Sequence, residues 1–149
     1  METGLLHLHS LLRWVVLIIM VLAIVKAYQG KKNALPFDRI KKLALFSMIT
    51  LHLQLVIGLA LYFMRSWHKV WAQGGFMGDT ATRFFTMEHL VSMLIAIALA
   101  TAGYSTAKRM EGDVKKNNRI FVFYLIALIL ILASIPWPFR TALGAHSWI

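Results

Sequence analysis

The chain has no cysteine and carries little charge. Its 149 residues include no cysteine, which excludes disulfides, cysteine-ligated iron–sulfur clusters, covalently attached c-type haem and thiol catalysis. The sequence also has no HExxH motif, no phosphate-binding glycine loop and no paired core carboxylates. Hydrolytic catalysis is therefore disfavoured. Any metal or redox chemistry would depend on histidine, methionine and carboxylate side chains.

Apolar residues dominate the amino-acid composition. They make up 59% of the chain, whereas charged residues make up 15%, a balance too apolar for an ordinary soluble domain. They fall into four blocks of about 18 to 24 residues, each long enough to cross the hydrocarbon core of a bilayer as a helix. The sequence predicts an all-α fold, an integral membrane four-helix bundle forming one transmembrane domain over residues 1–149. Its helices are expected at approximately 5–28, 43–64, 84–107 and 120–135.

The net charge of +10 comes mostly from two short loops. Lysine and arginine are concentrated between helices 1 and 2 and between helices 3 and 4, and they are much scarcer in the middle loop. The positive-inside rule places both basic loops in the cytoplasm. An up-down-up-down bundle with both termini on the outer, periplasmic side follows. Because the basic residues flank apolar helices, we interpret them as orienting charges and expect no nucleic-acid partner.

Of the six histidines, three lie well inside the predicted spans, at different depths. At 1.5 Å per residue, His9 lies about 6 Å, His89 about 8 Å and His52 about 14 Å below the outer boundary. Ionisable side chains inside a membrane span are costly and usually have a partner or a function. We therefore expect Glu88 and His89, in the first turns of helix 3, to have a partner or a function.

His9 and His89 each lie on a helix face that suits a buried position. His89 shares its face with a row of small residues, which admits either a neighbouring helix or a flat macrocycle. In a four-helix bundle, helices 1 and 3 lie diagonally across the core, so His9 and His89 could approach opposite sides of one ligand. Two axial imidazoles fit haem b. Arg13, one turn from His9, could pair with a haem propionate or, alternatively, with Glu88.

His52 is harder to place, because it points about 160° away from a polar stripe on the same helix. Either His52 faces the core and the stripe packs on another subunit, or the reverse, and both arrangements hint at an oligomer. His52 is also the alternative partner for His89. The candidate haem ligands are therefore two of His9, His52 and His89. A copper or zinc site without haem is less favoured, because no tight ligand cluster is visible.

The chain resembles a family of short four-helix membrane proteins of Bacteroidota that are labelled "cytochrome B". The resemblance covers nearly the whole chain and rests on the segments "LLHLHSLLRW", "HLQLVIGLALYF", "RFFTMEHLVSMLIAIAL" and "FYLIALILILASIPWPFR". More loosely, the chain is similar to half of the haem A synthase fold. It departs from that fold in having one four-helix unit and no glutamate four residues before a histidine.

The resemblance implies a b-type haem and electron transfer in the bacterial inner membrane. The candidate positions that it carries over are His9, Arg13, His52, Glu88 and His89. We expect an electron-transfer protein more than a catalyst, with quinol as a conceivable electron donor and a homo-oligomer or a membrane subunit as partner. The alternative function is a non-enzymatic accessory or assembly subunit without haem. In that case the polar side chains would make contacts between helices.

Overall fold

The structure, a computed structural model, describes residues 1–143 as an all-helical chain. The carboxyl-terminal residues 144–149, with His146, lie outside the described residues. The helices are α1 (Glu2–Lys32), α2 (Asp38–Met64), α3 (Trp67–Gln73), α4 (Thr80–Arg109) and α5 (Asp113–Ser134). All of them except α3 are long and apolar enough to cross a membrane. The prediction of an all-α protein with four membrane-length helices is thus confirmed, and it indicates a multi-pass membrane protein.

The four long helices surround one apolar core. Helix α1 contacts α2 and α5, and α4 contacts α5 and α2, so α1 and α4 occupy diagonal positions. In lipid, close packing rather than water exclusion holds such helices together, and small residues let them approach. Ala96 and Ala100 of α4 are fully buried, and a Cβ atom on Gly103 would lie 2.5 Å from the Cβ atom of Phe123. The small-residue row of α4 therefore packs largely against α5.

Hydrogen bonds join the two basic loops at one end of the bundle. The Phe37 backbone N–H donates to Oδ1 of Asp113 over 3.1 Å. The fully buried Asn117 donates from Nδ2 to the Leu35 carbonyl over 2.9 Å. These bonds connect the turn after α1 with the first turns of α5. Both basic loops therefore lie at the same end of the molecule.

Helix α4 begins at the opposite end with a capped turn. Oδ2 of Asp79 accepts the Thr82 backbone N–H over 2.8 Å, which satisfies one of the amide groups left unpaired at a helix start. Hydrogen bonds from the Thr82 side chain and backbone hold the pKa of Asp79 below its usual range. Beyond this cap, Phe84–Glu88 forms a π-turn, and His89 begins the regular helix that follows.

Candidate functional site

A cavity of about 190 Å³ lies between the long helices, near the end opposite the basic loops. Side chains from all four long helices line it, together with Trp67 of α3. Most of the lining is apolar, but several polar side chains also face it. These polar residues are His9, Ser10, Arg13, Gln54, Tyr62, Arg65 and His89. An apolar pocket with a few convergent polar groups is the usual form of a ligand site in proteins.

His9 and His89 meet in this cavity. Their ring centroids are 6.5 Å apart and their planes make an angle of 70°. Nδ1 of His89 lies 2.8 Å from the Ser134 carbonyl oxygen. Because a carbonyl oxygen only accepts, this nitrogen carries the proton in the neutral ring and Nε2 keeps its lone pair. Such a hydrogen bond is the one that orients a metal-binding imidazole.

Helix α2 holds His9 by its backbone and leaves room for its ring. Nε2 of Gln54 donates to the His9 carbonyl oxygen over 2.9 Å. A Cβ atom on Gly58 would lie 3.2 Å from Cε1 of His9, closer than ordinary van der Waals contact. Nδ1 of His9 is buried without a hydrogen-bond partner. Buried polar groups are rarely left unpaired, so this nitrogen indicates a ligand or water in the cavity.

Arg13 lies on the same side of α1 and lines the same cavity. Its guanidinium carbon is 5.6 Å from the centroid of the Trp14 ring. Glu88, which the sequence offered as a possible partner for Arg13, binds Arg83 instead, with 2.6 Å between Oε1 and Nε. Glu88 is not among the residues that line the cavity.

His52 lies apart from the other two histidines. It is exposed on α2, with Nδ1 2.8 Å from the Met48 carbonyl oxygen, and it does not line the cavity. The polar stripe of the same helix turns inward, with Gln54, Gly58 and Tyr62 at the cavity. Of the two orientations open from the sequence, the structure has the stripe facing the core and His52 facing outward.

The ring separation of His9 and His89 is compatible with two imidazoles that bind one metal. Two metal–nitrogen bonds of about 2 Å and two ring radii of about 1.1 Å place imidazole centres about 6 Å apart across one metal. Each ring can rotate about its metal–nitrogen bond, so the 70° between the planes is compatible with this arrangement. In residues 1–143 no three histidine or carboxylate residues cluster as a metal site. A metal held here would need further ligands of its own, such as those of a porphyrin.

The cavity is small for a ligand of the size of a porphyrin. Pockets that enclose a drug-sized molecule have about 300 to 1,000 Å³, whereas this cavity has about 190 Å³. The donor chemistry and separation of the imidazoles fit a haem, but a macrocycle needs more space. A haem held by His9 and His89 would therefore extend beyond this volume.

Several residues of the site were not assigned from the sequence. Tyr62 and Gly58 could have been found from the polar stripe on α2, whose spacings of three and four residues define one helix face. The Ser134 carbonyl also has a sequence signal. Ser134 ends α5, and Pro138, four residues later, has no N–H with which to continue the helical hydrogen bonds. This carbonyl is therefore available to His89.

No protein-family model matches the chain, and neither a curated protein nor a solved structure matches it significantly.

Proposed function

We propose that the protein is a membrane b-type cytochrome in which His9 and His89 hold one haem and that it transfers electrons. One observation carries the proposal: two imidazoles from diagonal helices line one cavity with ring centroids 6.5 Å apart. The hydrogen bond from His89 to the Ser134 carbonyl supports it, because it leaves Nε2 as the free nitrogen. The resemblance to the "cytochrome B" family points to the same cofactor.

Four residues of the cavity have a defined part in this proposal. A bound haem would supply a one-electron redox centre. His9 and His89 would hold its iron, and Gly58 leaves space for the His9 ring. Arg13 would offer its guanidinium to a propionate, the anionic group for which its planar donors are suited.

The proposal also includes a place in the membrane. The basic loops lie in the cytoplasm and both termini lie outside, as the distribution of lysine and arginine indicates. The chain would then be an up-down-up-down bundle in a bacterial inner membrane, with its haem nearer the periplasm. Quinol is the electron donor that suits such a position. His52, exposed on α2, would contact a second subunit, since an ionisable side chain that faces lipid is costly.

Histidine substitution tests the ligand assignment. We expect His9→Ala and His89→Ala to abolish the low-spin haem spectrum of the purified protein, because each removes one axial nitrogen. His52→Ala is the matched control and should leave the spectrum unchanged. Absorption spectra of the dithionite-reduced minus air-oxidised proteins provide the measurement. Haem retained at wild-type level in both His9→Ala and His89→Ala would refute the assignment.

The second candidate function is a haem-free accessory subunit, and two observations favour it. The cavity has about 190 Å³, and the 70° between the imidazole planes also occurs when two aromatic rings pack edge to face. In this case His9 and His89 would join α1 to α4. The same substitutions distinguish the two functions, since here they would lower stability in a protein that has no haem spectrum to lose.

A further inference from the structure

The helical turn that leads into His89 is a π-turn. Its residues, Phe84–Glu88, have the wider hydrogen-bonding pattern of a π-helix, and the regular helix starts at His89. One extra residue in a turn rotates everything after it by about 100° relative to an uninterrupted α-helix. The direction of the His89 side chain therefore depends on this turn.

The local sequence does not explain the distortion. The segment "FFTME" has neither proline nor glycine, the residues at which helices usually kink. Its cause is therefore to be sought in contacts with other helices. One such contact comes from α2, where Oη of Tyr62 donates to the backbone carbonyl of Thr86 over 3.2 Å. Thr86 lies in the middle of the π-turn and is fully buried.

Two further contacts fit the wide turn. Nε of Arg83 and Oε1 of Glu88 are 2.6 Å apart, although side chains five residues apart diverge by about 140° in a regular α-helix. On the other side of the turn, Phe85 stacks on Trp67 with ring centroids 5.9 Å apart. The turn is thus held by a hydrogen bond, an ion pair and an aromatic contact.

We propose that Tyr62 is a positioning residue that stabilises the π-turn and thereby directs His89 at His9. Its hydroxyl binds the Thr86 carbonyl inside the turn. Without that bond, the turn would relax towards a regular helix and carry the His89 ring away from the Ser134 carbonyl. This inference rests on the proposed function where it concerns haem affinity. It is independent of that function where it concerns the orientation of His89.

The test is Tyr62→Phe, which removes one hydroxyl and keeps the ring. Its first measurement is made on haem-free protein labelled with ¹⁵N-histidine, in which His89→Gln identifies the His89 Nδ1–H signal. We expect Tyr62→Phe to shift or broaden this signal. Its second measurement is the haem dissociation constant, which should rise about two- to tenfold, the factor equivalent to one net hydrogen bond.

Two control variants separate positioning from general damage. Thr86→Val keeps the backbone carbonyl that Tyr62 binds, and Tyr28→Phe removes a hydroxyl from an exposed tyrosine on α1. Both should leave the His89 signal unchanged. If Tyr62→Phe does not fold, Glu88→Gln is measured instead, because it weakens the ion pair across the same turn. We expect it to shift or broaden the His89 signal, and an unchanged signal would contradict the inference.

The outcomes are distinct. An unchanged His89 signal in folded Tyr62→Phe protein would overturn the inference, whatever the haem affinity. A shifted signal in a protein that binds no haem in any variant would refute the proposed function and support the positioning role of Tyr62. A shifted signal with weakened haem binding would support both.

Discussion

At the scale of single residues, the site depends on which side of α2 faces the core. From the sequence, His9 and His89 could be placed at similar depths with Arg13 one turn from His9, and the structure brings these residues to one cavity. The choice between His9 and His52 as the partner of His89 could not be made. Both faces of α2 carry polar residues, so helix periodicity alone gives no preferred rotation. The structure places the His9 ring beside His89, at a point where Gly58 leaves room for it.

Gly58 provides a prediction at this scale. We expect Gly58→Ala to weaken haem binding, because the new Cβ atom would lie 3.2 Å from Cε1 of His9 and displace its ring by a few tenths of an ångström. Stability should change little, since alanine favours a helix by about 1 kcal/mol over glycine and offsets the crowding. Haem content per chain and the thermal midpoint in detergent are the measurements. Gly4→Ala, with nothing within 4 Å of its new Cβ atom, is the control and should keep full haem content.

At the scale of elements, the four long helices follow from their composition, whereas the π-turn does not. Apolar blocks of sufficient length predict spanning helices, because a backbone in lipid must satisfy its own hydrogen bonds. The segment Phe84–Glu88 reads as ordinary helix, since its distortion depends on contacts distant in sequence. Tyr62, which binds the turn, is 24 residues away from Thr86. The helix could therefore be predicted, but the rotation of His89 could not.

The joined basic loops provide a second prediction. Asn117 is fully buried and its Nδ2 donates to the Leu35 carbonyl. We expect Asn117→Ala to lower the free energy of unfolding by about 0.5 to 1.5 kcal/mol, because it removes a hydrogen bond to the partly buried Leu35 carbonyl. Unfolding in mixed detergent and dodecyl sulfate micelles is the measurement.

The neighbouring residue is the matched control for this experiment. Asn118 is exposed and accepts from Nζ of Lys31 over 3.2 Å. An exposed contact of this kind contributes little, so Asn118→Ala should change stability by less than about 0.5 kcal/mol. Equal effects of the two substitutions would show that the contact between the loops does not depend on the buried amide.

At the scale of the whole molecule, the charges predict an orientation that the cysteine-free chain makes easy to test. Single cysteines can replace exposed residues in the three segments that connect the long helices, as Asn33→Cys, Gln73→Cys and Glu111→Cys. With both basic loops in the cytoplasm, a membrane-impermeant maleimide added to spheroplasts should label only Gln73→Cys. Labelling of the other two proteins, with Gln73→Cys protected, would show that the chain has the opposite orientation.

The two ends of the molecule differ in their contacts, and in the proposed orientation the basic end would face the cytoplasm. Polar contacts between loops close the basic end, whereas the cavity and its two histidines lie at the other end. A redox centre placed there would be close to the periplasmic side. An electron donor dissolved in the membrane or held at that surface would have the shortest path to it.

The central claim is that this chain holds one haem between His9 and His89. The most direct measurement is the reduced-minus-oxidised absorption spectrum of the protein purified in detergent from its native membrane, with haem quantified per chain. We predict a sharp α-band of low-spin b-type haem and one haem per chain. A folded, intact protein without an α-band would contradict the claim and leave His9 and His89 as packing groups of an accessory subunit.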